Sequence, residues 1–279
     1  MPRPLSAILC AAVAAVVAVA VPLEGRQPAA AGPAAPALTV DQQLAFLREA
    51  QVVDSRRIGK GITGALRVTL RQGAVTHDAA FQSVAQEPLL DGKRRAGELR
   101  FVDHYRYNIA AWRLAVLLGL SDMMAPTVER TIDGQRGALS WWVDDVAMDE
   151  AERETRNVMP PNALAFTRER QRMWVFAELV RDTDRNKGNI VYTRDWRVIM
   201  LDFTRAFRLE AALRQPALLA MCDRRLLAAM RALTRPQVEA AAGRELTGDE
   251  VKGLLARRDL LVAHFDRLVA ERGERVVLY

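Results

Sequence analysis

Three oxygen-bearing side chains, Asp184, Asn189 and Asp202, are spaced so that a folded chain can bring them together. Asp184 opens the polar loop Asp184-Arg185-Asn186-Lys187-Gly188-Asn189, and the apolar run Ile190-Val191-Tyr192 follows. A polar turn around Arg194-Asp195 leads to a second apolar run, Val198-Ile199-Met200-Leu201, closed by Asp202 ahead of Phe203. Two short β-rich runs separated by a polar turn predict a hairpin. Folding it at Asp195-Trp196 returns Asp202 to the neighbourhood of Asn189. An amide oxygen and a carboxylate then stand side by side at the open end, with Asp184 just upstream. Hard oxygen donors at a strand end suit Mg²⁺, which takes few protein ligands and completes its shell with substrate phosphates. The same residues are also ordinary turn chemistry, and any hairpin can end in Asp. The elements around them have to decide.

Upstream lies Gly59-Lys60-Gly61-Ile62-Thr63-Gly64, a G-x-G-x-x-G. In a dinucleotide-binding fold this motif opens a helix. Here residues 65–70 read as a strand, Arg71-Gln72-Gly73 as a turn and residues 74–76 as a strand, so the loop joins strands. Gly59, Gly61 and Gly64 would let backbone N–H groups close over phosphates; an ordinary Gly-rich hairpin is the competing reading. A further strand over residues 79–84 carries Gln82, which can hydrogen-bond a phosphate oxygen but brings no charge. Lys60 or Arg67 would supply that charge, although most Lys and Arg are simply solvated. On the first reading, Lys60→Ala abolishes nucleotide turnover.

A long helix is expected over residues 101–118, with Ile109, Trp112, Leu114 and Leu118 on its apolar face and Gly119 ending it. Glu98, just ahead, would be an exposed carboxylate or else pair with Lys60 or Arg67, and Asn108 is a second polar candidate. Strands over residues 124–130 and 137–143, joined at Asp133-Gly134, lead into a linker. There Trp141, Trp142 and Val143 would line an adenine ring or else sit in the core. Residues 149–162 read as a polar, Pro-broken loop. Thr167 caps a helix running to Val180, which delivers the loop at Asp184. Helices over residues 216–233, 235–243 and 247–272 complete the chain, with Arg257-Arg258 on a solvated face.

The 279 residues are half hydrophobic, enough for one large or two small packed lobes, and the formal charge of +6 is spread along the chain. No basic-aromatic module is visible, so a nucleic-acid partner is not expected. His77, His104 and His264 lack metal-ligand spacing, which argues against zinc. Arg3, an apolar stretch from Leu5 to Val21, and Ala18-Val19-Ala20 read as a secretory signal peptide cut after Ala20. The mature chain would then be secreted or periplasmic; left uncut, the segment would be a membrane anchor. Cys10 falls inside the signal, so Cys222 would be a lone, buried thiol on a helix face.

Gly loop, helix, linker strand, polar loop, hairpin and Asp-Phe come in the order of a protein kinase. Over about residues 58–207 the chain resembles the atypical branch of the kinase-like superfamily: phosphoinositide kinases, HipA-like kinases and secretory-pathway kinases. Residues 184–189 look like Asp-Arg-His-x-x-Asn with Asn186 in place of His. Residues 201–204 look like Ile-Asp-Phe-Gly with Thr204 in place of Gly. Gln82 stands where the strand lysine of Val-Ala-Ile-Lys would be. The resemblance implies a bilobal α+β fold, with a small β-rich lobe over residues 38–146 and a mostly helical lobe over 147–279. Ahead of them lie a signal peptide (1–20) and an Ala/Pro linker (21–37). It implies ATP and Mg²⁺ as cofactors. Asp184 would accept or orient a hydroxyl proton, Arg185 would orient the loop or neutralise charge, and Asn189 and Asp202 would hold Mg²⁺. Gly59, Gly61 and Gly64 would cover the phosphates. The implied activity is phosphoryl transfer to a hydroxyl on an unidentified protein, lipid or small molecule. Gln82 keeps a second reading open, a pseudokinase working as an extracytoplasmic nucleotide-binding or interaction module.

Overall fold

The computed structural model of the chain describes residues 38–59, 64–86 and 102–279. The expected signal and linker segments, Lys60, Gly61 and Glu98 lie outside the described residues.

Helix α1 (Val40–Glu49) starts at a capping box, where Thr39 accepts from the Gln42 amide and the Gln42 side chain accepts the Thr39 N–H. Strands β1 (Gln51–Arg57), β2 (Leu66–Gln72) and β3 (Val75–Gln82) follow as an antiparallel meander, with the Gly loop between the first two. A two-residue pair, β4 (Ala85–Gln86) and β5 (Asp103–His104), precedes helix α2 (Arg106–Leu117). Strands β6 (Thr127–Ile132) and β7 (Gln135–Trp141) turn at Asp133 and Gly134, both with positive φ (50° and 77°), as a tight hairpin requires. The sheet order is β1-β2-β3-β7-β6. Side chains alternate across it. Val68, Leu70, Ala79, Phe81 and Leu139 face outward under α1, packing with Phe46 and Leu47. The register sets Arg67 opposite Ala80, and Ala80 opposite Ser140, on the other, inner face.

The sequence reading split β3 into two runs. His77 and Asp78 carry the pairing through, opposite Leu70 and Thr69, so one strand results. It also started α2 too early, because Asp103 and His104 are spent on β5. α2 ends at Gly119, whose φ is 72°. Its buried side chains do not join the sheet core under α1. Tyr107, Ala111, Trp112 and Leu114 join the large core of the C-terminal helices, whereas Ile109 meets Ala138 of β7.

The supposed loop at residues 149–162 holds structure. β8 (Val146–Asp149) pairs with the catalytic-type hairpin, and α3 (Glu150–Thr155) is capped by Asp149. α4 (Ala163–Leu179) starts at Asn162, which accepts the Ala165 N–H at 3.0 Å; Thr167 lies inside the helix with its hydroxyl on the Ala163 carbonyl. The hairpin itself is as expected: β9 (Ile190–Thr193) pairs with β10 (Val198–Met200), and Trp196 takes a left-handed φ of 66° at the turn.

Beyond it run α5 (Arg224–Ala232), α6 (Arg235–Ala242), α7 (Gly248–Arg272) and α8 (Glu274–Val277). The single helix expected over 216–233 is instead a 3₁₀ turn (Pro216–Leu218) and α5, separated by a bridge between Cys222 and Leu278. Cys222 is therefore buried beside a helix start, not on a helix face, and burial pushes its thiol up to about 12. Arg257 is the larger correction. It is fully buried, donating to the carbonyls of Leu179, Arg208 and Glu210 at 2.7–2.8 Å, and burial pushes it down to about 10. It ties α7 to the end of α4 and to the chain just past the hairpin. A β-rich N-terminal part and a helical C-terminal part give the α+β, bilobal layout expected from the order of motifs.

Candidate active site

The hairpin ladder continues one step past its strands, the Leu201 N–H donating to the Asn189 carbonyl at 3.0 Å. Asn189 and Asp202 are thereby brought together at the open end. Asp202 has φ 54°, a left-handed conformation that Asp tolerates better than most residues. Its Oδ1 accepts from the Thr204 N–H (3.1 Å) and the Thr204 hydroxyl (2.8 Å). The threonine standing where glycine was expected thus fixes the carboxylate. Phe203 is buried edge-on to Phe176 and lies under the Arg185 guanidinium, 4.3 Å from its ring centre.

Arg185 is a strut. Its Nη1 donates to the carbonyls of Asn189 (2.8 Å) and Leu201 (2.5 Å), and its Nη2 to that of Asp202 (3.3 Å). It also meets Asp182 at 2.5 Å, with both side chains sealed from solvent. Of the two roles foreseen for Arg185, this geometry serves orientation. Burial pushes the Asp182 carboxyl up, against the pull of Arg185. The other Asp182 oxygen accepts the Asp184 N–H at 3.0 Å, which fixes the backbone at the start of the loop.

Asp184 is the exposed member, its side chain 36% accessible. Oδ1 accepts from Asn186 (3.1 Å) and Oδ2 from Arg205 Nη1 (3.0 Å). Arg205 is anchored through Nε to buried Asp103 at 2.8 Å. The Asn189 amide nitrogen donates to the Asp184 carbonyl at 3.0 Å, so the amide oxygen is the atom left to face a cation. Among the described residues no three His, Cys, Asp or Glu side chains gather to hold a metal by themselves. One amide oxygen and one carboxylate fit a Mg²⁺ ion that takes its remaining ligands from phosphates and water.

On the inner sheet face, Gln82 Oε1 accepts from Asn108 Nδ2 at 2.6 Å, and Asn108 Oδ1 accepts the Phe203 N–H at 2.6 Å. The side-chain link between β3 and α2 is thus a pair of uncharged amides. Arg67 is committed to Asp78, with Nε at 2.6 Å and Nη2 at 2.5 Å, and lies 4.2 Å over the Trp142 ring. Burial opposes the charge on Asp78, but the Thr69 hydroxyl and Arg67 hold its carboxyl below the usual range. The Trp142 backbone N–H donates to the Asp78 carbonyl at 3.1 Å, whereas Trp141 stacks on His77. Gly59 and Gly64 flank the Gly loop, closed by the Ile58 N–H to Ala65 carbonyl bond. Gly64 has φ 67°, and a side chain at either glycine would point into open space. Asp103, Arg205 and the buried partnership of Asp182 with Arg185 were not foreseen as site chemistry. Only their proximity in the fold reveals them, since residues 103 and 205 share no spacing pattern.

A five-stranded antiparallel sheet over a loop and hairpin that present Asp, Asn and Asp defines a kinase-like fold of the atypical kind. The comparisons agree. The chain is similar to hydra Fam20 determined with sugar (14% identity, 86% of this chain and 92% of that one, TM-score 0.64). It is also similar to the Golgi casein kinase (11%, 85% and 78%, 0.62), including its form with Mn/ADP bound (TM-score 0.61), and to the Helicobacter pylori proinflammatory kinase CtkA (10%, 80% and 98%, 0.50). No family model matches the chain, and no curated protein matches it. At these identities the likeness establishes the fold, and that fold is atypical kinase-like.

Proposed function

We propose that the chain is an exported, ATP- and Mg²⁺-dependent phosphotransferase acting on a hydroxyl of a protein, lipid or small molecule. One observation carries the reading: Arg185 and the β9–β10 ladder hold Asn189 and Asp202 together, and the Asn189 amide ties Asp184 to them. Phosphoryl transfer is mostly positioning and charge stabilisation, and the cluster supplies both. The acceptor oxygen attacks the γ-phosphorus, the bond to the β–γ bridging oxygen breaks, ADP leaves, and the hydroxyl proton passes to Asp184. Arg205 holds the Asp184 carboxylate turned to receive it. A divalent cation at Asn189 and Asp202 would neutralise the charge on the β- and γ-oxygens. The Golgi casein kinase was determined with Mn/ADP, which supports nucleotide and divalent-metal use here. Arg67, Trp142 and Gln82 share the inner sheet face, where Trp142, beneath the Arg67 guanidinium, would be the residue to meet a base. Lys60, with the Gly59–Gly64 loop, is the candidate cation for the phosphates. Export rests on the N-terminal sequence and is supported by the Golgi in one neighbour's name; among the described residues no helix is long and apolar enough to cross a membrane.

Gln82, an uncharged residue at the strand-lysine position, favours the second reading, a nucleotide-binding module without turnover. A turnover assay with ATP and Mg²⁺ decides between them. The phosphotransferase consumes ATP and its Asp202→Ala variant does not; equal rates in the two proteins would refute the assignment.

A further inference from the structure

Asn108 on α2 is 5% exposed, yet it is polar, and both ends of its amide are bonded at 2.6 Å. One end holds Gln82 on β3. The other holds the backbone N–H of Phe203, the residue directly after the metal-ligand candidate Asp202. Asp202 sits at φ 54°, so the direction of its carboxylate depends on what holds the backbone on either side of it. α2 is a firm base for that hold. Its Tyr107 hydroxyl and Arg106 (3.1 Å) both bond Glu250 on α7, Arg113 pairs with Glu245 at 2.9 Å, and its apolar face lies in the C-terminal core. In kinases with the lysine–glutamate pair, the helix-to-strand link is charged and reaches the phosphates. Here the link is uncharged, and its far end runs to the metal-binding segment instead.

We propose that Asn108 is a positioning residue for the metal: through Phe203 it sets the Asp202 carboxylate, and through Gln82 it holds β3 in register with that carboxylate. The inference rests on the phosphotransferase reading of the site. Its signature is a split between metal and nucleotide. Asn108 touches neither, so its loss weakens the metal and spares binding of the nucleotide alone.

The test is titration of the full chain with Mn²⁺, followed by electron paramagnetic resonance, in the presence of a non-hydrolysable ATP analogue. Analogue affinity without metal is measured alongside. Asn108→Leu removes both bonds and should weaken Mn²⁺ about 10- to 100-fold, the usual effect of losing a group that orients a metal ligand. Its metal-free analogue affinity falls far less than its Mn²⁺ affinity. Asn108→Asp keeps an acceptor for the Phe203 N–H, and Gln82 can turn its amide to donate, so Mn²⁺ affinity is retained. Asn108→Ser, too short to reach either partner, reports the same loss should the leucine variant not fold. A folded Leu or Ser variant with wild-type Mn²⁺ affinity overturns the role. So does an equal loss of metal-free analogue binding, or an aspartate variant as weak as the leucine one. A wild-type chain that binds neither Mn²⁺ nor the analogue removes the phosphotransferase reading itself, and is distinguishable because no variant is needed to see it.

Discussion

Arg185 holds the carbonyls of residues 189, 201 and 202 with one guanidinium and shares a dry compartment with Asp182. Arg185→Met would leave the Asp182 carboxylate buried without its partner, which typically costs about 3–5 kcal/mol. Urea unfolding should show a loss of that size, and Mg²⁺-dependent nucleotide binding should fall with it; a variant as stable as the wild type would mean the pair does not hold the loop. Arg205 acts differently, through one Asp184 oxygen. Arg205→Ala should lower kcat by up to about a hundredfold, as misplacement of a reacting group can, while KM for ATP barely moves. A change in KM alone would place Arg205 in nucleotide binding instead. At this scale the sequence is half-informative. The polar loop and Asp-Phe step are visible because turn residues and β-branched runs alternate over a short span. Arg257 and Asp103 are invisible, because what buries an arginine among carbonyls 47 to 78 residues away is tertiary packing.

Among the elements, the β8–α3–α4–β9 junction depends on Glu150. Its buried carboxylate meets Arg153 and Arg170, each at 2.5 Å, and the Tyr192 hydroxyl at 2.8 Å. Burial alone would raise its pKa; Arg153, Tyr192 and Arg170 together hold it down at about 2, from 4.5. A carboxyl depressed on folding contributes stability that is present above the unfolded value and lost as pH falls through the folded one. Stability should therefore drop between pH 4.5 and about 2. Glu150→Gln should flatten that part of the profile and lower the thermal midpoint at neutral pH. An unchanged acid limb in the variant would show that Glu150 is not the group responsible. This junction was also the least legible stretch. β8 is four residues long with a register shift, and α3 is six residues with one buried position, so neither carries a full period of apolar spacing. β1 was missed for a related reason: it is an edge strand with five of its seven residues exposed in an unbroken run, and so shows no alternation. α7 was legible from its Thr247–Glu250 capping box, and the β9–β10 hairpin from its apolar runs.

Across the whole molecule, the candidate site lies where an inner sheet face, the α2 helix and the catalytic-type hairpin meet. α2 packs into the core of the C-terminal helices and, through Ile109, against Ala138 of β7, and its bonds to Glu250 and Glu245 join it to the C-terminal helices. The order of motifs foretold this layout. It could not foretell that the strand-to-helix link would be an amide pair, because that depends on Gln82 and Asn108 meeting across the fold. Crystals of the full chain grown with ADP and Mn²⁺, measured at the manganese absorption edge, test the account most directly. An anomalous peak is expected between the Asn189 amide oxygen and the Asp202 carboxylate, with the phosphates completing its shell. A peak elsewhere, or ordered nucleotide with no metal between those two side chains, would contradict it.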